Sequence, residues 1–230
     1  MVETAIIMPY FNQKRYIEEC LRTLKMAPEQ FVFVAIDNGS TDGSKELITE
    51  NMVSRSVIHL SLKERSISRM WNMGIEAIKA EDYIFINSDV VFYPLWISPL
   101  KRALKDHFCA QPLRFEGRGY PSQEEIAAIA STPFSVREGG INGPCFGLSK
   151  EGIEALKSDN KEKKVFDERF RLWYQDSDVL WRLNHLSRPP VDVLNAVIYH
   201  HLSKTLLSRS GWLTIIDRDK EKFIQKWGNI

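Results

Sequence analysis

An acidic residue follows an apolar stretch near the middle of the chain, where a buried strand is predicted to end. Residues 83–86 form a short apolar run, and Asn87, Ser88 and Asp89 follow it directly. At the carboxyl edge of an open α/β sheet, where ligands collect, the Asp89 carboxylate could hold a divalent cation against phosphate groups. The alternative is that Asp89 only caps the next turn.

A second acid occupies the same position relative to another predicted strand. Asp37 follows the apolar residues 31–36 and precedes Asn38 and Gly39. Asn-Gly pairs favour turns, which explains Asn38 and Gly39 better than it explains Asp37. At a strand tip, the Asp37 carboxylate could accept an N–H group of a nucleotide base.

Two further acids, Asp176 and Asp178, precede apolar residues with helical spacing, so both are predicted to lie in the first turn of a helix. A carboxylate beside an acceptor hydroxyl can remove its proton as a general base. Residues two apart on a helix point in different directions, so only one of the two can face an acceptor. The alternative is that both stabilise the helix N-terminus.

Two adjacent histidines, His200 and His201, end an alternating strand pattern. Successive strand residues face opposite sides of a sheet, so at most one imidazole could reach a metal ion at that edge. The alternative is a pair of surface or hydrogen-bonded histidines.

The composition limits the class of protein. The 230 residues are 43% apolar, and 31 basic against 30 acidic residues give a formal net charge of +1. This balance provides no global field for nucleic acid or an anionic membrane. The three cysteines are far apart, which argues against a zinc knuckle or a disulfide framework. No run reaches transmembrane length, and we expect a soluble, cytoplasmic protein, with peripheral contact at a membrane surface as an alternative.

Strand and helix patterns alternate along the first half of the chain. Strands are predicted at residues 4–8, 31–36, 56–60 and 83–86, and helices at residues 13–25, 44–50 and 67–79. Such alternation is typical of right-handed βαβ crossovers, so we expect an α/β fold with a mostly parallel, Rossmann-like sheet flanked by helices.

The second half is less regular. Residues 111–143 contain many glycines and prolines and are interpreted as a loop-rich flap with one short helix at 123–130. Residues 212–227 carry apolar side chains at helical spacing with basic residues between them. We expect an amphipathic helix docked on the domain; the alternative is a helix on a membrane surface.

Several motifs in order resemble glycosyltransferase family 2, and within it a rhamnosyltransferase-like subset. The matching segments are Pro9-Tyr10-Phe11-Asn12, Asp37-Asn38-Gly39-Ser40-Thr41-Asp42-Gly43, Asn72-Met73-Gly74-Ile75, Asn87-Ser88-Asp89, Asn142-Gly143-Pro144-Cys145-Phe146-Gly147, Phe166-Asp167-Glu168-Arg169-Phe170, Tyr174-Gln175-Asp176-Ser177-Asp178 and Lys226-Trp227-Gly228. The resemblance implies a single GT-A domain over residues 1–230, with a nucleotide-sugar-binding half (1–110) and an acceptor-side half (111–230). It also implies transfer of a sugar, with inversion, from a nucleotide diphosphate donor to a hydroxyl acceptor.

The resemblance also assigns roles to residues. Mn²⁺ or Mg²⁺ would be held by Asp89 and by His200 or His201, with His200 favoured, and Asp176 would be the base, with Asp178 as the other candidate. The donor, a UDP, dTDP or GDP sugar, would contact Pro9, Tyr10, Phe11, Asn12, Asp37, Asn38, Arg69, Asn72, Asn87, Ser88 and Asp89. The acceptor side would include Gly143, Asp167, Glu168 and Trp173.

Three positions depart from the family pattern and keep other functions open. Asn87 stands where an Asp is common, Gln175 where a Glu is common, and Trp71 where an Arg is common. The loss of the neighbouring acid predicts a lower pKa, and so a weaker base, at Asp176. Asn87 and Gln175 motivate a second hypothesis, a non-catalytic nucleotide-sugar or glycan-binding scaffold. A nucleotidyltransferase is disfavoured because the loop after the first strand is not Gly-rich.

The acceptor is not determined by the residues. A saccharide or lipid-linked saccharide is the default by resemblance. A protein, a small metabolite or a modified nucleic-acid base stays open because the predicted flap contains Arg114, Arg118 and Arg137.

Overall fold

The computed structural model describes residues 1–53, 55–117, 119–202 and 211–228; Arg118 lies outside them. Nine strands in these ranges form one sheet with the order β3-β2-β1-β4-β8-β6-β9-β5, and β7 pairs with β9. The strands are β1 (Val2–Tyr10), β2 (Val32–Asp37), β3 (Ser56–Ser61), β4 (Ala80–Ile86), β5 (Val90–Phe92), β6 (Cys109–Glu116), β7 (Val136–Glu138), β8 (Cys145–Ser149) and β9 (Val191–His200). The helices are α1 (Lys14–Leu24), α2 (Ser44–Asn51), α3 (Ile67–Ala77), α4 (Ile97–Leu104), α5 (Gln123–Ala130), α6 (Lys150–Asp159), α7 (Gln175–His185) and α8 (Trp212–Trp227).

The first half of the chain is the predicted parallel unit. β1 pairs in parallel with β2 and β4, and β2 pairs in parallel with β3. Helices α1, α2 and α3 make the crossovers, as the alternating patterns predicted. The carboxyl ends of β1, β2 and β4 therefore meet at one edge of the sheet.

The second half makes the sheet mixed. β8 runs antiparallel to β4 and β6, and β9 runs parallel to β6 but antiparallel to β5 and β7. This arrangement returns the carboxyl ends of β6 and β9 to the same edge as that of β4. The α/β class with flanking helices is confirmed, and the expected parallel pairing dominates only in the first half.

The interpretation of residues 111–143 as a loop-rich flap is wrong for their first part. Residues up to Glu116 belong to β6, a strand inside the sheet between β8 and β9. Pro112 obscured the strand pattern, because proline lacks the N–H of an inner strand; the register with β9 shifts between Pro112 and Leu113. The short helix was predicted correctly and is α5.

Two apolar layers cover the two faces of the sheet. Ile6 and Met8 of β1 pack with α1, α2 and α4, whereas Ala5 and Ile7 pack with α3, α6 and α7. Alternation along the strand makes this division. Gly74 of α3 lies directly over Ile7, where an added Cβ would be 2.5 Å from Ile7 Cγ2. The absence of a side chain at residue 74 thus sets how closely α3 approaches β1.

The C-terminal helix α8 spans the residues predicted for it and packs on the domain. Phe223 and Asp219 are fully buried, and Lys226 and Trp227 reach Asp178 of α7. No helix in the described ranges is both long and apolar enough to cross a membrane.

Gly74→Ala tests the close approach of α3 to β1. Overpacking costs about 1–3 kcal/mol, which exceeds the gain of up to about 1 kcal/mol that alanine brings to a helix. We expect a lower free energy of unfolding in urea titration. In an Ile7→Ala background the added methyl has room, so the same substitution should then be neutral or stabilising. An unchanged midpoint for Gly74→Ala alone would contradict the packing argument.

Candidate active site

A cavity of about 520 Å³ opens at the edge where the carboxyl ends of β1, β2, β4, β6 and β9 meet. Ligands collect at this edge of open α/β sheets. The polar residues that line the cavity are Asn38, Arg65, Asn87, Ser88, Asp89, Arg114, Glu116, Asn142, Gln175, Asp176, Ser177 and His200. The apolar and aromatic lining includes Pro9, Tyr10, Ile67, Met70, Trp71, Ile141, Leu172, Trp173, Tyr174 and Trp212.

Asp89 and His200 form one polar end of the cavity. The side chains are 3% and 6% exposed, and His200 Nε2 lies 3.3 Å from Asp89 Oδ1. The pairing of β5 with β9 sets this proximity, because Val90 lies opposite His200 and the His201 N–H donates to the Asp89 carbonyl. Of the two histidines, His200 faces the cavity, as the family position suggested.

His201 points away from this end. Its Nε2 lies 2.9 Å from Glu19 Oε2 and 3.3 Å from the Tyr120 hydroxyl, and its ring contacts Tyr16. The structure therefore gives no support to His201 as a metal ligand, because strand alternation turns it to the opposite side of the sheet.

The donor atoms of Asp89 and His200 suit a divalent cation. Neighbouring ligands of an ion with bonds of about 2.1 Å lie about 3 Å apart, close to the measured 3.3 Å. His200 Nε2 is buried and makes no hydrogen bond within the described ranges, so it is available to a cation when the ring proton lies on Nδ1. No group of three or more His, Cys, Asp or Glu side chains in these ranges is placed so that it could hold a metal ion. Further ligands would have to come from a substrate.

Asp176 lies at the N-terminus of α7 and lines the same cavity. Its Oδ2 accepts the Gly143 N–H at 3.0 Å and its Oδ1 accepts the Ser177 N–H at 2.8 Å. Burial raises the pKa of the Asp176 carboxyl, and these two hydrogen bonds oppose the rise. The sequence-based expectation of a lower pKa considered only the missing acid at residue 175 and omitted this burial.

The backbone on both sides of the carboxylate helps to orient the Asp176 side chain. Tyr174, directly before α7, has a φ of 67°, a left-handed conformation that is strained for a residue with a bulky side chain. Gly143 packs against the carboxylate: an added Cβ would lie 3.0 Å from Asp176 Oδ2. A side chain at residue 143 would therefore press on the acid, which explains the glycine.

The loops after β1 and β2 hold each other at the far rim. The Asn12 N–H donates to Ser40 Oγ, and Asn12 Oδ1 accepts the Thr41 N–H, both at 2.8 Å. Asp37 Oδ1 accepts the Ser40 N–H at 2.8 Å, so Asp37 takes part in the turn that follows β2. Pro9, Tyr10 and Asn38 line the cavity, whereas Phe11, Asn12 and Asp37 are not among its lining residues.

Three polar residues assigned to the site by resemblance have structural partners and are not among the lining residues of the cavity. Asp178 is fully buried, with Oδ1 2.6 Å from Lys226 Nζ and 2.9 Å from Trp227 Nε1, so it anchors α8 and does not face an acceptor. Asn72 Nδ2 donates to the Phe166 carbonyl at 2.8 Å and to Glu168 at 3.2 Å. Glu168 in turn pairs with Lys164 at 2.6 Å.

Asp167 is a buried ion-pair acid. Burial alone would raise its pKa, but hydrogen bonds from Arg169 and Lys226 outweigh this and hold the pKa of the carboxyl well below its usual range. Together with Asp178, it fixes Lys226 and hence the end of α8.

The arginine beside the cavity is not the one expected. Arg69 is exposed on α3 and pairs with Glu64 at 2.6 Å, outside the lining, whereas Arg65, just before the helix, is in the lining. Arg114, which the sequence analysis placed in the flap, also lines the cavity, and sequence reasoning missed Glu116. Glu116 is an acid at the end of a strand, so the rule that singled out Asp89 would have found it, had β6 been predicted.

One buried acid in α8 positions the cavity wall formed by residues 171–174. Asp219 Oδ2 accepts the backbone N–H groups of Arg171, Leu172 and Trp173 at 2.9, 2.8 and 3.2 Å. Three N–H groups converging on one carboxylate oxygen hold this loop in place. Leu172 and Trp173 thereby line the cavity, and Trp173 keeps 44% of its surface exposed.

The sequence profile of Glycosyl transferase family 2 matches residues 5–138. Among curated proteins, the putative glycosyltransferase EpsH of Bacillus subtilis (strain 168) is 27% identical over 131 residues, which is 54% of this chain and 38% of EpsH. The chain spans less than two fifths of the length of the curated relatives that it matches.

Solved structures share the fold. The mannosyltransferase PcManGT of Pyrobaculum calidifontis, in complex with GDP-Man and Mn²⁺, superposes with a TM-score of 0.66 at 14% identity over 97% of this chain and 62% of that one. TarS 1–349 of S. aureus, in complex with UDP-GlcNAc, gives a TM-score of 0.67 at 14% identity over 97% of this chain and 67% of that one. These superpositions confirm the GT-A architecture.

Asp219→Ala should destabilise the protein by about 1–3 kcal/mol, because it removes the shared acceptor of three partly buried N–H groups. Urea unfolding measures the change. Asp217→Ala, an exposed acid on the same helix, is the matched control and should stay near wild type. Equal midpoints for the two variants would contradict the anchoring role of Asp219.

Proposed function

Because the chain belongs to glycosyl transferase family 2, we propose that it transfers a hexose or deoxyhexose from a nucleotide diphosphate sugar to a hydroxyl acceptor with inversion. The observation that carries this proposal is the shared cavity: a buried Asp–His pair suited to a cation and a carboxylate with a raised pKa line the same space. A rhamnosyltransferase-like donor choice follows from the sequence resemblance alone.

The donor is proposed to lie along the strand ends. Tyr10 and Asn38 offer a wall for the base and ribose, and Asp37, the neighbour of Asn38 in the chain, is the candidate acceptor of a base N–H. Arg65 lines the same cavity and provides positive charge for the diphosphate. The bound UDP-GlcNAc of TarS and GDP-Man of PcManGT support a nucleotide-sugar donor, and UDP, dTDP and GDP sugars are all candidates.

Asp89 and His200 are proposed to hold Mn²⁺ or Mg²⁺ together with the diphosphate. The ion, when bound, stabilises the negative charge that grows on the leaving nucleotide diphosphate. Asn87 and Ser88 add neutral polar groups to this end, so Asp89 provides the anionic ligand. The Mn²⁺ in the PcManGT complex supports the assignment.

Asp176 is proposed as the general base. Inversion requires proton removal from the acceptor hydroxyl as its oxygen attacks the anomeric carbon opposite the leaving group. The Gly143 and Ser177 N–H groups orient the carboxylate. A raised pKa makes Asp176 a better proton acceptor than an ordinary aspartate, provided that it is ionised at the working pH.

The acceptor is proposed to enter past Trp173 and Trp212. Indole faces supply apolar surface for a sugar ring, and Trp173 is the more exposed of the two. A saccharide or lipid-linked saccharide fits this entrance. Asp167 and Glu168, tied to lysines, are proposed as supports of this region and not as contacts.

Substitution of the two acids of α7 should separate catalysis from stability. Asp176→Asn should lower turnover about 10²–10⁴-fold with little change in melting temperature, because relief of the buried charge offsets the weakened acceptor. Asp178→Asn should lower the melting temperature and leave most of the turnover per folded molecule. Nucleotide diphosphate release from a panel of UDP, dTDP and GDP sugars measures the turnover of both variants. Thermal unfolding measures their melting temperatures. Full activity of Asp176→Asn would contradict the base assignment.

The same panel separates the functional alternatives. Donor binding without turnover would favour the scaffold, and pyrophosphate as product would favour a nucleotidyltransferase.

The pH dependence of the transfer rate should reflect the ionisation of the Asp176 carboxyl. Its carboxyl must be ionised to accept a proton, and burial raises its pKa, so activity should fall on acidification at a pH above the ordinary aspartate pKa of about 4. For stability the sign is opposite: a raised pKa in the folded state favours folding at low pH, and this contribution is lost as pH rises through the folded pKa. The rate profile of transfer, compared with melting temperatures over the same pH range, tests both statements.

Asp89→Ala should abolish the Mn²⁺-dependent part of UDP or GDP binding. Removal of the proposed anionic ligand leaves His200 alone on the protein side. Isothermal titration with and without Mn²⁺ measures the difference, and Asp106→Ala, an exposed acid, is the control. Equal Mn²⁺ dependence in Asp89→Ala and wild type would refute this metal assignment.

A further inference from the structure

The His200 ring lies between two carboxylates. Its Nε2 is 3.3 Å from Asp89 Oδ1, and its Nδ1 is 3.5 Å from Glu116 Oε2. Strand pairing produces both contacts, since β9 lies between β5 and β6 and its residue His200 is in register with Val90 and with Glu116. The ring therefore has one nitrogen toward the cation end of the cavity and the other toward β6.

Glu116 is itself held from the other side. Its Oε1 lies 3.2 Å from Arg114 Nη2, so its two oxygens have different neighbours. Arg114 and Glu116 are both in β6, two residues apart, and both line the main cavity. Four side chains therefore contact one another in sequence, in the order Arg114, Glu116, His200, Asp89.

The chemistry of imidazole links the role of one His200 nitrogen to that of the other. A neutral ring carries one N–H, and the other nitrogen has the lone pair that binds a metal. If Nε2 binds a cation beside Asp89, the proton must be on Nδ1, where Glu116 is the acceptor in reach. Carboxylates that accept the second N–H of a ligating histidine fix its tautomer and raise its basicity.

We propose that Glu116 is a positioning residue that acts through His200: it accepts the Nδ1–H bond, keeps the Nε2 lone pair directed at Asp89, and so strengthens cation binding at the donor site. The proposal rests on the proposed function of Asp89 and His200 as cation ligands. The rival account is a purely structural bridge, in which a doubly protonated His200 joins two acids and Glu116 contributes only to stability.

A double-mutant cycle distinguishes the two accounts. Wild type, Glu116→Ala, His200→Ala and the double variant are titrated with Mn²⁺ in the presence of UDP or GDP, with free Mn²⁺ followed by electron paramagnetic resonance. Loss of such a supporting carboxylate costs about 10–100-fold in metal affinity, so Glu116→Ala should weaken Mn²⁺ binding by that factor. In the His200→Ala background it should cost less than about twofold, since its effect passes through the ring.

Two further variants test whether the charge of Glu116 is needed and whether the effect is specific to this acid. Glu116→Gln keeps an oxygen for the Nδ1–H bond without the charge and should fall between wild type and Glu116→Ala. Glu138→Gln, an exposed acid of β7, is the matched control and should bind Mn²⁺ as wild type does. In the complex with UDP and diamagnetic Mg²⁺, two-bond ¹H–¹⁵N spectra should show His200 protonated at Nδ1 in wild type and a changed tautomer population in Glu116→Ala, which a structural bridge does not predict.

Each outcome has one meaning. If His200→Ala weakens Mn²⁺ binding and Glu116→Ala does not, the positioning role is overturned while the cation assignment stands. If Glu116→Ala costs the same factor with and without His200, the acid does not act through the ring. If Asp89→Ala, His200→Ala and Glu116→Ala all bind Mn²⁺ as wild type does, the cation site and the inference fail together. Melting temperatures of all variants separate these results from unfolding.

Discussion

The pairing of β9 with β5 on one side and β6 on the other is the constraint on which the candidate site depends. It places His200 beside the residue that follows Asp89 and opposite Glu116, so that three strand ends supply one group of side chains. A shift of one residue in either pairing would turn the imidazole to the other face of the sheet, as strand alternation does to His201. The geometry is thus a consequence of backbone hydrogen bonding and not of the histidine itself.

Charge is the reason why a cation suits the proposed site. Asp89 and His200 are almost fully buried, and Asp176 sits in the same cavity with a pKa raised by burial. Buried acids are costly unless they are paired or bind a cation. A nucleotide diphosphate is also anionic, so a cation together with Arg65 would reconcile the acids of the cavity with such a donor.

Other buried acids of the chain serve packing. Asp178 and Asp167 bind Lys226, and Asp219 holds the backbone of residues 171–173, so α8 is clamped to α7 and to the cavity wall. These contacts connect the C-terminal helix to the placement of Trp173 and Asp176. The same residue type therefore has two roles within a few residues, catalysis proposed at Asp176 and anchoring at Asp178, and the direction of a helix turn separates them.

The sequence alone determined the alternating α/β unit of the first half, the helices α5 and α8, and the positions of Asp89 and Asp176 at the ends of elements. These features were accessible because apolar periodicity and element boundaries are local properties. Long-range contacts were not accessible in this way. Pro112 masked β6 and with it Glu116, and nothing local distinguished Asp178, bound to α8, from Asp176, which lines the cavity. Only the tertiary structure decided which polar side chains meet, because strand register and helix docking join residues far apart in the chain.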